Sequence, residues 1–299
     1  MSGSSGVVDA RPLVGISAML ANTMLIPIMG VAIKRLTEDD VGTLEMLAWR
    51  SLLVMALLIP LLGVRNHLRE ILSADLKAHL AHALVSITMM ACFYYALRTL
   101  PIVTVTAINF TTPIFALLLA RLIFGERVSP LGWAAMGLGF AGTLVVLRPD
   151  GAGIGLDAAV VLFGSFLSGI ANLVVRRMPA RSSNFAVVFY LSAAGAIVYG
   201  LLGAPSMGMP APDHWVWYAT LAGVALGIHT FVTLAFRFAA SMLVGALDYL
   251  RIIWAFLIGW FFVGEMPVPL DWVGIAMIVA SGVLVLRASA RPVPPGQGA

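Results

Sequence analysis

Charged residues are scarce in this chain of 299 residues. Only 11% of them are Asp, Glu, Lys or Arg, whereas 61% are hydrophobic and the mean hydropathy is +0.99. Soluble domains carry about 25% charged residues, so this composition excludes an ordinary water-soluble domain and predicts an integral membrane protein. We attribute the net charge of +4 to Lys and Arg residues in cytoplasmic loops beside the membrane. No nucleic-acid partner is predicted.

Cysteine and familiar catalytic motifs are also lacking. Cys92 is the only cysteine, which excludes an internal disulfide and a cysteine-based metal site. The sequence contains no H-E-x-x-H, P-loop or G-x-S-x-G motif, so nothing in it indicates an enzyme. His79 and His82 have a spacing that metal sites use, but no third ligand accompanies them. We therefore predict a protein without catalytic residues, cofactors or metal ions.

Long apolar runs take up most of the chain. At about 20 residues per span they predict ten membrane helices, over residues 13–33, 43–62, 79–97, 101–124, 131–147, 156–175, 184–203, 215–236, 241–263 and 270–286. An even number of spans places both termini on one side of the membrane. Eleven Lys and Arg residues fall in the segments of that side and four in the opposite loops, which predicts that both termini are cytoplasmic.

The sequence repeats itself at a shift of 139 residues. This shift aligns residues 96–133 with residues 235–272 without a gap, and it pairs Asn109 with Asp248 and Trp133 with Trp272. Each half has five spans, an odd number, so the second half must be inserted in the opposite orientation to the first. We therefore predict an all-α integral membrane protein with ten transmembrane helices in two inverted five-helix repeats, residues 1–150 and 151–299.

The segment GLGFAG, from Gly137 to Gly142, has the spacing of a dinucleotide-binding turn. It lies inside an apolar run, where an open turn would leave backbone groups unsatisfied at a cost of several kcal/mol each. A dinucleotide turn also needs a preceding strand and a solvent-facing helix end, which this run does not offer. We interpret the glycines as a close-packing face of the fifth span.

Polar side chains inside the spans are the candidates for function, because a central charge costs about 2.5–3.5 kcal/mol there. Asn109 and Asp248 occupy equivalent positions, and an aromatic residue, Phe110 or Tyr249, follows each of them. This repetition predicts a substrate site at the midplane, and an interhelical hydrogen bond within each hairpin is the alternative. The substrate-binding candidates are Asn22, Tyr94, Asn109, Phe110, Asn172, His229, Asp248, Tyr249 and Trp254.

Other residues are assigned to structure or gating. Arg50 opens the second span, and Arg251 is three residues from Asp248, so that the two can form a structural ion pair or complement a zwitterion. Pro27 and Pro113 fall within spans one and four and predict bends that expose backbone carbonyls to a cavity. His229 is either a titrating group or a buried histidine bonded to a hydroxyl.

The repeat unit resembles the EamA unit of the drug/metabolite transporter superfamily. The segment PIFALLLARLIFGERVSPLGWAAMGLGFAGTLVVLRP carries the resemblance, together with Arg50 in LAWRSLL and Glu126 in the GE that follows the fourth span. The second half has no arginine equivalent to Arg50, and LANTMLIP in the first span departs from the family's frequent WGSNF. Within the superfamily the chain is most similar to the YddG-type exporters of aromatic and other amino acids in bacterial inner membranes.

The resemblance implies alternating access through a central cavity between the halves. The leading hypothesis is thus an inner-membrane exporter of neutral amino acids or related metabolites. A drug or organic-cation exporter and a non-transporting membrane scaffold are the alternatives. The small number of cations within the spans argues against a doubly charged phosphate substrate. Coupling to protons and oligomeric state stay open, and a monomer is compatible with the sequence.

Overall fold

The computed structural model describes residues 12–63, 67–125, 130–147, 155–178, 183–239, 241–266 and 268–289. Over these ranges the chain folds into helices joined by short turns, and it contains no β-strand. The helices are α1 Pro12–Glu38, α2 Thr43–Leu58, α3 His67–Leu72, α4 Leu76–Thr99, α5 Ile102–Asn109, α6 Thr112–Phe124, α7 Pro130–Leu147, α8 Leu156–Arg177, α9 Asn184–Gly203, α10 Trp215–Phe238, α11 Ser241–Asp248, α12 Arg251–Ile258 and α13 Pro269–Ser289.

All ten predicted spans are helical, most of them within three residues of the predicted ends. Seven helical segments of the described chain are long and apolar enough to cross a membrane, and three shorter apolar helices cover residues 130–146, 251–263 and 269–284. The short helix α3, between the second and third spans, was not predicted. The chain is therefore a multi-pass α-helical membrane protein.

Two of the predicted spans are each broken into two half-helices. The fourth span stops at Asn109 and restarts at Thr112, and the ninth stops at Asp248 and restarts at Arg251. In the fourth span Pro113 has no N–H to offer the carbonyl of Asn109, which agrees with the bend expected there. The two breaks are 139 residues apart and therefore fall at equivalent positions of the repeat.

No proline accompanies the second break. The N–H of Ile252 donates instead to the carbonyl of Tyr249, three residues earlier, over 3.2 Å. After α12 the helix continues as a π-helical turn, residues Gly259–Val263. By contrast, α1 runs without interruption through the buried Pro27, where we had expected a second bend.

The half-helices α6 and the α12–π segment end in the same way. Gly125 has φ +67° and Gly264 has φ +77°, in the left-handed region that favours glycine, and each ends its helix. Both glycines belong to the Gly-Glu pair that the repeat shares. The signal for a helix end is therefore present twice in the sequence.

The helices pack across the two sequence halves. Helix α1 lies along α10 and also contacts α11 and α12, whereas α8 lies along α4 and also contacts α5 and α6. Equivalent helices of the two halves also pack together, α2 with α9 and α7 with α13, and α9 and α2 further contact α4 and α10, respectively. The largest buried cluster accordingly draws its side chains from both halves, with Tyr94, Ile108 and Tyr199 among them.

The contact between α7 and α13 explains the glycines of GLGFAG. A Cβ on Gly142 would lie 2.8 Å from the carbonyl oxygen of Gly274, and one on Gly139 would lie 2.5 Å from Ser281 Oγ. Gly137 has open space around it and takes no part in this contact. The packing interpretation is thus supported at two of the three glycines, and no turn interrupts α7.

Candidate functional site

A cavity of about 270 Å³ lies between the two broken spans. Its walls come from α1, α2, α4, α5, α8, α10 and α12, and so from both halves of the chain. The volume lies close to the lower end of the range for small-molecule sites, about 300–1,000 Å³. The polar side chains that line it are Arg50, Tyr94, Thr106, Asn109, Ser168, His229 and Arg251.

The two helix breaks meet beside this cavity. The rings of Phe110 and Tyr249 stack with their centroids 4.9 Å apart and an interplanar angle of 23°. Arg251 forms an ion pair with Asp248 through Nη2, and its Nη1 donates to Asn109 Oδ1 over 3.5 Å. The four residues paired by the repeat therefore form one contact across the halves, which Arg251 completes.

Arg251 also lies against an aromatic ring. Its guanidinium carbon is 5.7 Å from the centroid of Phe110, a distance that allows a cation–π interaction. Because Arg251 contacts Asp248, Asn109 and Phe110, it links α12 to the break in the other half. Its Nε is buried and has no hydrogen-bond partner. The residue assigned to structure or gating thus also lines the cavity.

Arg50 is the second cation of the cavity. Its side chain lies on α2 with a relative exposure of 8%, its Nη1 approaches Met90 Sδ at 3.7 Å, and its Nε has no partner. None of the ion pairs formed by the described residues includes it. A thioether is only a weak acceptor, so no described residue compensates the charge of Arg50.

Two further candidates, Tyr94 and His229, line the cavity. Tyr94 on α4 has a relative exposure of 1%, and its hydroxyl has no hydrogen-bond partner. The half-buried ring of His229 on α10 borders the cavity. Arg50 is close enough to both of them for an electrostatic interaction. Both side chains therefore lie within electrostatic range of the Arg50 guanidinium.

The remaining candidates lie elsewhere. Asn22 is buried in α1 with an unpartnered Oδ1 but does not belong to the cavity wall, and Trp254 is half-buried against the main core cluster. Asn172 is exposed on α8, whereas Ser168, one turn earlier, lines the cavity. The wall also contains Met89, Met90 and Phe93 of α4, which sequence reasoning missed because such side chains are common in any apolar helix.

Glu265 lies beside one end of the cavity. Its Oε2 accepts a hydrogen bond of 2.7 Å from the backbone N–H of Ile102, a cavity-lining residue, and its Oε1 lies 2.8 Å from Lys34 Nζ. The exposures of the Lys34 and Glu265 side chains are only 12% and 13%. A single carboxylate thus joins α1, the start of α5 and the turn after the π-helical segment.

A multi-pass helical bundle with discontinuous helices around an internal cavity, lined by apolar and some polar side chains, is typical of membrane transporters. The sequence profile of the EamA-like transporter family matches the chain twice, over residues 13–148 and 157–287. Together these matches cover most of the chain, which therefore belongs to the EamA-like transporter family. The resemblance seen in the sequence is confirmed.

The chain is similar to several bacterial transporters. It is 29% identical over 215 residues to a riboflavin transporter of Rhizobium johnstonii, which covers 71% of each chain. It is 24% identical to the pseudopaline exporter CntI of Pseudomonas aeruginosa, over 66% of this chain and 70% of that protein. A crystal structure with 18% identity matches 92% of this chain with a TM-score of 0.61, which supports the fold alone.

Proposed function

We propose that this protein moves amino acids, aromatic and other neutral ones, or related small metabolites across the bacterial inner membrane by alternating access. The observation that carries the proposal is the cavity at the two helix breaks, whose wall is shared by both halves. Discontinuous helices that meet at the seam between two repeats are a common way to build a transport site. The direction of transport is proposed to be export.

The proposed topology consists of two inverted repeats, residues 1–150 and 151–299, with both termini cytoplasmic. The helix contacts favour it, because a shift of 139 residues exchanges the pair α1 and α10 with the pair α8 and α4. The excess of Lys and Arg on one side favours the orientation. Under this topology Glu265 lies beside the outer end of the cavity.

The cavity argues against the cation-exporter alternative. The charged side chains that line it are the two arginines, and Asp248 is already paired with Arg251. An organic cation would therefore meet a positive site without a free carboxylate among the described residues. A cavity with polar side chains in its wall also favours a transporter over the non-transporting membrane scaffold.

The test is transport by the purified full chain in liposomes. We expect labelled neutral amino acids to move down their gradient, and a panel at two pH gradients shows whether protons are coupled. A cysteine placed at Ser168 or at Ala225, both of which line the cavity, should react from alternate sides of the membrane during turnover in a Cys92→Ala background. Absence of flux for all twenty amino acids rejects this substrate class, and reactivity from one side only rejects alternating access.

We expect the outer end of the cavity to be open more often in the Glu265→Gln variant than in the wild type. The amide keeps the shape of the side chain but loses the ion pair and leaves Lys34 nearly buried without a counter-charge. Each 1.4 kcal/mol lost changes the open population about tenfold. The measurement is the labelling rate of a Leu97→Cys probe, in the Cys92→Ala background, by a membrane-impermeant thiol reagent.

The matched control for this variant is Glu38→Gln. Glu38 pairs with Arg35 at the same end of the bundle over 2.9 Å, but the pair is solvent-exposed and lies outside the cavity. Exposed pairs contribute about 0–1 kcal/mol, so labelling should stay close to the wild-type rate. Equal rates for Glu265→Gln and wild type would argue that the carboxylate does not hold this end closed.

A further inference from the structure

The cavity holds a cation that pairs with no carboxylate among the described residues. Arg50 is more than nine-tenths buried, takes part in none of the ion pairs found in the described part of the chain, and interacts electrostatically with Tyr94, Tyr199 and His229. A buried charge without a partner is costly, and a charged group within a membrane span is by default a functional one. The missing partner is therefore expected to arrive with the ligand.

The hydroxyl of Tyr94 belongs to the same incomplete site. It is buried without a hydrogen-bond partner, whereas the hydroxyl of the neighbouring Tyr199 already donates to the carbonyl of Ile87. An O–H donor beside a guanidinium matches the acceptor oxygens of a carboxylate. Arg50 and Tyr94 thus both offer donors that suit a carboxylate.

No described carboxylate is free to pair with an ammonium in the cavity. Asp248 is engaged by Arg251 and Glu265 by Lys34, and neither carboxylate lines the wall. The remaining wall beside Arg50 is apolar and polarisable, because α4 contributes Met89, Met90 and Phe93 within about one helical turn. This surface suits a flat apolar group next to the anion.

We propose that Arg50 and Tyr94 bind the carboxylate of the transported solute, so that the site selects organic anions and does not require an amino group. The inference rests on the proposed transport function and narrows its substrate class to carboxylates that carry an apolar, preferably aromatic, part. An amino acid satisfies the requirement through its carboxylate. A decarboxylated amine does not.

The test compares three solutes with the same ring: L-phenylalanine, 3-phenylpropanoate and 2-phenylethylamine. Binding to the purified full chain is measured by calorimetry, and flux is measured in liposomes. We expect the two carboxylates to bind with similar affinity and the amine at least about tenfold more weakly, because charge-assisted hydrogen bonds are lost.

Substitutions then assign the effect to the two donors. Arg50→Gln should weaken both carboxylates about 10- to 100-fold without affecting the amine, and Arg50→Lys should retain part of the affinity as a point charge. Tyr94→Phe removes the hydroxyl alone and should cost about three- to tenfold. Arg237→Gln, which removes an exposed cation outside the cavity, is the matched control.

Folding provides a separate readout. Arg50→Gln removes an unpaired buried charge, so the ligand-free thermal midpoint should stay equal or rise. Tight binding of 2-phenylethylamine, or unchanged carboxylate affinity in Arg50→Gln, overturns the carboxylate site while transport stands. Absence of flux for every solute overturns the transport function and this inference with it.

Discussion

Replacing Gly282 with valine is expected to abolish transport. Gly282 lies on α13 directly beneath Tyr249, and a Cβ at this position would fall within the volume of the tyrosine phenol. The ring would have to swing away from Phe110, which would break the stack that joins the two helix breaks. Overpacking of this kind costs about 1–3 kcal/mol or more, and the lost aromatic pair about 0.5–1.5 kcal/mol.

The measurement is flux per amount of folded protein, together with the thermal midpoint in detergent. Gly137→Val is the matched control, because open space surrounds Gly137 on α7. The double variant Gly282→Val with Tyr249→Ala should recover much of the thermal midpoint but not the flux, since the clash is relieved and the stack is still absent. Wild-type flux in Gly282→Val would show that the stack is not needed for transport.

The second large effect is expected at the ion pair of Asp248 and Arg251. Arg251→Gln would leave the Asp248 carboxylate without its partner, at a site where the arginine side chain is 11% exposed and the aspartate side chain 29%. Removing one partner of a fully buried pair costs about 3–5 kcal/mol, and the partial exposure of Asp248 reduces this figure. We expect a clear fall in the thermal midpoint and at least a tenfold loss of flux.

A double-mutant cycle separates the structural from the transport role. In the double variant Asp248→Asn with Arg251→Gln both charges are absent, so the thermal midpoint should recover. The coupling free energy between the two substitutions should be about 1–3 kcal/mol. Flux should stay low, because Arg251 no longer borders the cavity. Recovery of both quantities would assign the pair to folding alone, the alternative that the sequence left open.

The helices were predictable because lipid imposes strong rules on the chain. Long apolar runs bounded by charges located the ten helical spans, and Pro113 marked the first break. The second break was not foreseen, since residues 249–252 contain no proline; the structure shows it as a hydrogen bond from Ile252 to the carbonyl three residues earlier. Proline can be read from the sequence, whereas a change of hydrogen-bond partner at a helix that packs on α1 and α5 cannot.

The candidate site was predictable only in part. The repeat identified Asn109, Phe110, Asp248 and Tyr249 as equivalent, and the structure brings them together, but the sequence did not assign Arg50 and Arg251 to the cavity wall. Asn172 and Ser168 share one face of α8, yet only Ser168 reaches the cavity. How far a cavity extends along a helix depends on neighbouring helices that lie far away in sequence.

The backbone contact between α7 and α13 also limits which substitutions this helix pair tolerates. Gly142 and Gly274 each meet the carbonyl oxygen of the other, at 2.8 Å and 2.7 Å from where a Cβ would stand. Because the obstacle at each position is main chain, no change of the opposing side chain can make room for a larger residue. A substitution at either glycine would therefore force the two helices apart.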